Sequence, residues 1–350
     1  MVQVWASIDL ALPLAGVGEA ARRAESLGFD GLMVPDVMTD GFLAAQAAIA
    51  TTREIRVATS AVVAFARSPM VVAVAAWNLQ ALSGGRFHLG LGPLIRTNIV
   101  EKYGMPWSPP APHMRDYVQA LRALFDCWQN GTRLDHRGEH YRLTRMQSFV
   151  APPPIGHPEI PIHMAGIGPN MTAVAGELSD ALITHPTNVS PRFLRERARP
   201  GLARGAARVG KDPRSVRLFV NPLVATGPDA AAVAGERERQ RALLATLYST
   251  PSYWPTLELH GWRAVGEQLN GLVRANRWDA LAALLSDEML DELMVCARWD
   301  ALASALRAKY AGIADAFVLP LPSDAAGDPA LAEIVAELRA WDGSPEPQRG

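Results

Sequence analysis

Few residues of this chain combine a reactive type with a suggestive setting. Asp36 follows a short apolar run at 31–34, and His185 follows another at 181–184. A carboxylate and an imidazole so placed could exchange protons with a substrate, although an aspartate there also caps helices and turns. Asp40, just before Gly41-Phe42, is the better cap. Arg96, Thr97 and Asn98 follow a fourth apolar run and put polar groups on a loop. Ala165-Gly166-Ile167-Gly168-Pro169-Asn170-Met171 has a different character. There a strand ends, glycines turn the chain and a proline opens a helix, so free amides and the helix dipole favour an anion such as phosphate. Gly90-Leu91-Gly92 lacks the third glycine of a dinucleotide fingerprint, because Pro93-Leu94-Ile95 follows. It reads instead as close backbone approach toward a flat ring. His136-Arg137-Gly138-Glu139-His140 has the spacing of an inverted zinc-protease motif, which requires a helix. Gly138 interrupts an alternating stretch, so a hairpin turn at Arg137-Gly138 is expected, and no metal. The remaining chemistry is that of a site that holds a phosphorylated cofactor and lets it react.

Such residues need a scaffold that brings strand ends together. Apolar runs at 2–8, 31–34, 55–63, 86–91, 160–165, 181–184, 216–225 and 314–319 read as strands, separated by amphipathic or Ala-rich helical stretches. Near-continuous apolar strands with helical crossovers predict a parallel sheet, and about eight of them predict a (β/α)8 TIM barrel, an α/β fold. Residues 1–342 are expected to form one barrel domain, with insertions at 93–154 after strand four and at 250–295 after strand seven. The first should contain a helix and a hairpin, and the second should be helical. The tail, 343–350, is expected to be disordered. With 34 Lys+Arg against 35 Asp+Glu, a basic field for nucleic acid or anionic membrane is excluded. Two distant cysteines make neither a disulfide framework nor a zinc cluster. No leader or spanning segment is read, so a cytoplasmic protein is expected.

Longer segments add a resemblance. Ala64-Phe65-Ala66-Arg67-Ser68-Pro69-Met70, Ala76-Trp77-Asn78-Leu79-Gln80-Ala81-Leu82-Ser83-Gly84-Gly85-Arg86-Phe87, Tyr103-Gly104-Met105-Pro106-Trp107-Ser108, Leu178-Ser179-Asp180-Ala181 and Ser249-Thr250-Pro251-Ser252-Tyr253 occur together with the glycine motifs above. In this the chain resembles the luciferase-like monooxygenase superfamily, and within it the oxidoreductases dependent on the deazaflavin F420. The resemblance implies a barrel of the bacterial-luciferase type with F420, or alternatively FMN, at its C-terminal mouth. It implies a non-prolyl cis peptide near Ser60-Ala61-Val62 behind the ring, with Gly92 close by. It places the phosphate turn at Gly166, Ile167, Gly168, Pro169, Asn170 and Met171. Arg192, Arg195 and Arg197 would either meet the cofactor's anionic tail or line a solvated helix face. The implied reaction is hydride transfer with a small organic substrate, with Asp36, Arg96, Asn98 and His185 as the candidate catalytic groups. FMNH2-dependent monooxygenation, or a cofactor-free barrel without redox chemistry, are the alternatives. The chain departs from its relatives in having Asp36-Val37 where dehydrogenases carry Asp-His, and Pro93-Leu94-Ile95 where polar residues are usual. The site is therefore expected to be unusually apolar, which points to an unusual substrate, as in secondary metabolism. Exposed apolar helices on such barrels often make dimers, so a homodimer is expected.

Overall fold

Apolar runs without alternation fold here as strands covered on both faces. The computed structural model describes residues 1–344. Among these, the strands are β1 (Gln3–Ser7), β2 (Gly31–Val34), β3 (Arg56–Thr59, resumed at Val62–Val63), β4 (Phe87–Gly92), β5 (Ile162–Ala165), β6 (Ala181–Ile183), β7 (Arg217–Val220) and β8 (Ala316–Pro320). All pair in parallel with their sequence neighbours, and β1 pairs with β8, so the sheet closes into the expected TIM barrel and leaves no edge. Alternation turns Trp5, Met33, Ala58, Ile183, Phe219 and Val318 into the barrel, where they form a core of their own. The opposite faces pack under the helices. Inside, β3 and β4 approach so closely that a Cβ on Gly90 would lie 1.7 Å from the Thr59 carbonyl oxygen.

Helices α1 (Leu14–Ser26), α2 (Gly41–Thr51), α3 (Pro69–Ser83), α4 (Pro110–Asn130) and α5 (Pro169–Leu178) make the first crossovers. Asp40 caps α2 as expected, accepting from the amides of Phe42 and Leu43. Ser68 caps α3, Pro69 opens it, and Gly84 ends it in the left-handed conformation at φ 62°. The expected hairpin joins His136–Arg137 to Arg142–Leu143, but its turn is at 138–141, with Arg137 still in the strand rather than in the turn. Among the described residues no helix is long and apolar enough to cross a membrane.

Two expectations need correction. The single strand expected at 216–225 is two, interrupted at Asn221-Pro222, where a proline without an N–H cannot continue the ladder. Only β7 joins the barrel. Leu223–Gly227 leaves it to pair with Met294–Arg298, a strand not anticipated at the end of the late insertion. This pair and the helices between them enclose a second apolar core around Tyr248, Trp254, Leu257 and Leu290. At the C-terminus, Gly343 accepts from the Gly312 amide and Ser344 from the Trp341 indole, so the first two residues of the expected disordered tail are tied down. The rest of that expectation, 345–350, lies outside the described residues.

Candidate functional site at the barrel mouth

The β-strand alternation that builds the barrel core also selects the groups at its C-terminal end. Two residues beyond the buried layer, Ser7, Gly92 and Ala165 face inward, and none carries a charge. Next to them β3 breaks, and a non-prolyl cis peptide joins Ser60 to Ala61, at the position the resemblance implied. The strand then resumes, with Val62 opposite Leu91 and Val63 opposite Gly92. A Cβ built on Gly92 would lie 3.5 Å from that of Ala61 and 3.7 Å from that of Ala165, ordinary contacts. Packing therefore does not demand glycine at 92, in contrast to Gly90. Its effect is to leave a low platform of Ala61, Gly92 and Ala165 on which a flat ring can lie.

Asp36 supports this platform, and its expected catalytic role is corrected. The side chain is buried, and both oxygens are engaged. Oδ1 accepts from the Gly41 amide at 2.8 Å and from Arg67 at 3.0 Å; Oδ2 accepts from the Val63 amide at 3.0 Å and from Arg67 at 2.6 Å. Arg67 also reaches Asp40 at 2.9 Å. A carboxylate with four donors has no lone pair left for a substrate proton. Asp36 instead fixes the backbone just after the cis bond, which makes it a positioning residue.

At the next strand end, α5 begins at Pro169 with Gly168 as its cap and no side chain capping it. Among the described residues the Asn170 and Met171 amides have no acceptor, whereas the Thr172 amide bonds the Gly168 carbonyl at 3.0 Å. The two glycines of the turn differ in purpose. A Cβ on Gly166 would press to 2.8 Å from that of Met171, so this glycine seats the turn on its helix. A Cβ on Gly168 meets nothing within 4 Å, so the space beside the open amides is free. Arg204 donates to the Pro169 carbonyl at 2.9 Å and adds a cation to the same helix end. Sequence reasoning missed Arg204. Its helix, Arg199–Arg208, comes close only because Gly205 packs against the Ala173 carbonyl of α5, and nothing near the turn in sequence reports that. By contrast, Arg192 pairs with Glu196, and Arg195 and Arg197 are exposed beside it, the arrangement of a solvated face.

His185 caps the short turn after β6. Its Nδ1 lies 2.8 Å from the Thr187 hydroxyl, which donates in turn to Asn188 Oδ1 at 2.7 Å. The ring stacks on Tyr253, with centroids 4.5 Å apart and planes inclined by 8°. Burial lowers its pKa to about 4, so the imidazole is neutral near pH 7. Nε2 makes no hydrogen bond to a described residue and is the atom left for a ligand. Tyr253 and Tyr248, whose hydroxyl donates to the Thr187 carbonyl at 2.8 Å, come from the second core, so that unit buttresses the histidine loop. Arg96 is exposed before the π-helical stretch Asn98–Lys102, and Asn98 is half-buried. Neither side chain bonds a described residue. Of the two histidines of the zinc-like motif, His136 Nε2 lies 2.6 Å from Asp116 Oδ1, whereas His140 bonds that carboxylate only through its backbone amide, and its buried Nε2 has no partner among the described residues.

The arrangement can therefore seat a planar ring, hold an anion at a helix start and present one neutral imidazole. An uncharacterised protein of Mycobacterium tuberculosis is 39% identical over 316 residues, spanning 90% of this chain and 92% of the relative. A 5,10-methylenetetrahydromethanopterin reductase of Archaeoglobus fulgidus is 26% identical over 278 residues, 77% of this chain and 78% of that protein. The solved structure of the coenzyme F420-dependent tetrahydromethanopterin reductase of Methanopyrus kandleri superposes with a TM-score of 0.78 at 18% identity, covering 97% of this chain and 98% of that one. The profile of the luciferase-like monooxygenases matches residues 2–316, and the chain belongs to that family of enzymes.

Proposed function

We propose that this enzyme is an oxidoreductase that uses coenzyme F420 to move a hydride to or from a small organic substrate. The observation that carries the reading is the conjunction at the mouth of the Ala61-Gly92-Ala165 platform with the uncapped start of α5. A planar ring and a phosphate on one ligand would occupy both. The likeness to proteins named as reductases, one of them F420-dependent, favours the deazaflavin over FMN.

When bound, the deazaflavin supplies a two-electron hydride donor or acceptor at its ring C5. The chain supplies the rest. The cis bulge, held by Asp36, backs the ring. The Asn170 and Met171 amides, with Arg204, hold the phosphate. His185 Nε2 exchanges the proton that must accompany hydride transfer, with its ring oriented by Thr187 and Tyr253. We read the protein as a cytoplasmic enzyme of secondary metabolism that acts as a homodimer through α2 and α3, whose Leu43, Val71 and Leu82 are exposed.

Titration of the purified protein with F420 and with FMN, followed by absorbance and fluorescence, tests the reading. The expected result is F420 binding with a low-micromolar or tighter constant. Affinity for FMN alone, with oxygen consumed when it is reduced, would replace the reading by a monooxygenase. Binding of neither would leave a barrel without redox chemistry.

A further inference from the structure

We infer that the substrate carries an extended, uncharged apolar portion that lies across the rim formed by the loops after β1, β2 and β4. The inference rests on the oxidoreductase reading above and names its substrate class. Exposed apolar side chains scattered singly over a surface are ordinary, but a group of them around one mouth is not. Leu10, on the loop after β1, is 55% exposed; Val37 and Met38, after β2, are 53% and 74% exposed; Val100 and Met105, after β4, are 42% and 38% exposed. β1 and β2 are adjacent, and only β3 separates β2 from β4, so these loops form one arc. That arc begins beside the phosphate-holding turn after β5. It is centred on β2, which stands across the barrel from β6 and His185.

On the loops after β1 and β2 the charges are held within the protein, whereas Arg96, Glu101 and Lys102 on the loop after β4 are exposed. Asp36 and Asp40 share Arg67, and Asp9 accepts from the Ala11 amide. Where the chain leaves β4, Pro93-Leu94-Ile95 extends the apolar surface. Leu94 is held at φ 59°, in a region that leucine rarely adopts, and packs on the apolar core. The inward groups Ser7, Gly92 and Ala165 are uncharged as well. A charged group lying over the loops after β1 and β2 would lose hydration without gaining a partner, whereas an alkyl or ring portion would cover surface now in water.

The test uses the F420-loaded protein and a homologous series of methyl ketones from six to twelve carbons, with binding read by calorimetry and by perturbation of the F420 fluorescence. Affinity is expected to rise about two- to fourfold per added methylene. The double variant Val37→Ser, Met38→Asp should flatten that rise while leaving F420 affinity unchanged, and Leu10→Ser should weaken it. Leu243→Ser, at an exposed leucine on the helix Ala230–Tyr248 outside the mouth, should leave it intact. Affinity independent of chain length, tighter binding of homologues bearing a terminal carboxylate, or a rise that survives the double variant would overturn the inference. Failure of F420 itself to bind would instead reject the oxidoreductase reading, so the two failures are distinct.

Discussion

At the scale of single residues, Asp36 and His185 look alike in sequence, since each is a titratable group directly after an apolar run. The structure separates them by what surrounds each polar atom. Asp36 is saturated by two amides and Arg67, whereas His185 keeps one nitrogen open. That difference was not legible beforehand, because the partners Val63, Arg67 and Tyr253 lie up to 68 residues away in sequence. His185→Gln should therefore lower turnover by roughly 10²–10⁴-fold, the usual range for a lost proton-transfer group, with little change in F420 affinity. The neutral imidazole, with its pKa near 4, should keep this contribution constant from about pH 5 to pH 8. Pre-steady-state hydride transfer monitored across that range would check both points. Asp36→Ala should behave in the opposite way. It leaves Arg67 with Asp40 alone and frees the Gly41 and Val63 amides, so stability falls by about 2 kcal/mol and F420 binds more weakly. Denaturant unfolding beside an F420 titration would show whether the loss lies in the fold and the platform, as expected, or only in turnover.

At the scale of elements, the barrel strands were readable because a buried parallel strand writes an unbroken apolar run. The reading failed where Asn221-Pro222 splits one such run in two, because apolar character alone does not say which sheet a strand joins. The Gly166–Met171 turn was readable because its glycines, proline and helix are local. Its electrostatic complement, Arg204, was not, since it arrives through helix packing. The glycines then divide by environment. Gly168 has φ −74° and empty space where a side chain would go, so Gly168→Trp should leave the melting temperature nearly unchanged while F420 affinity drops at least tenfold. Gly90→Ala should do the reverse, because its methyl would strike the Thr59 carbonyl oxygen. A cost of about 3 kcal/mol or more is expected from such overpacking. Thermal melts and F420 titrations of the two variants side by side would reveal whether space, rather than glycine content, decides their roles.

At the scale of the whole molecule, the barrel interior carries a feature that composition could not reveal. His88 on β4 and His163 on β5 meet with ring nitrogens 2.9 Å apart beside Trp5 and Phe219. Burial holds both well below the ordinary histidine pKa, and His163 further disfavours a charge on His88. His113, on α4 against the hairpin's Tyr141, is lowered to about 4 by burial and by His140. The folded chain thus binds fewer protons than the unfolded chain between roughly pH 6.5 and pH 4, which makes stability rise with pH across that window. Acidification should lower the melting temperature progressively from about pH 6.5 downward, before the carboxylate ion pairs titrate. Replacing His88 and His163 together by a non-titrating pair of similar size, Asn and Gln, should shallow that decline even if it lowers the melting temperature at pH 7. The slope of melting temperature against pH isolates the effect, because a purely structural loss would displace the whole curve without changing its shape. A slope unaltered by the double replacement would move the acid sensitivity out of the barrel interior and onto His113, His185 and the carboxylates.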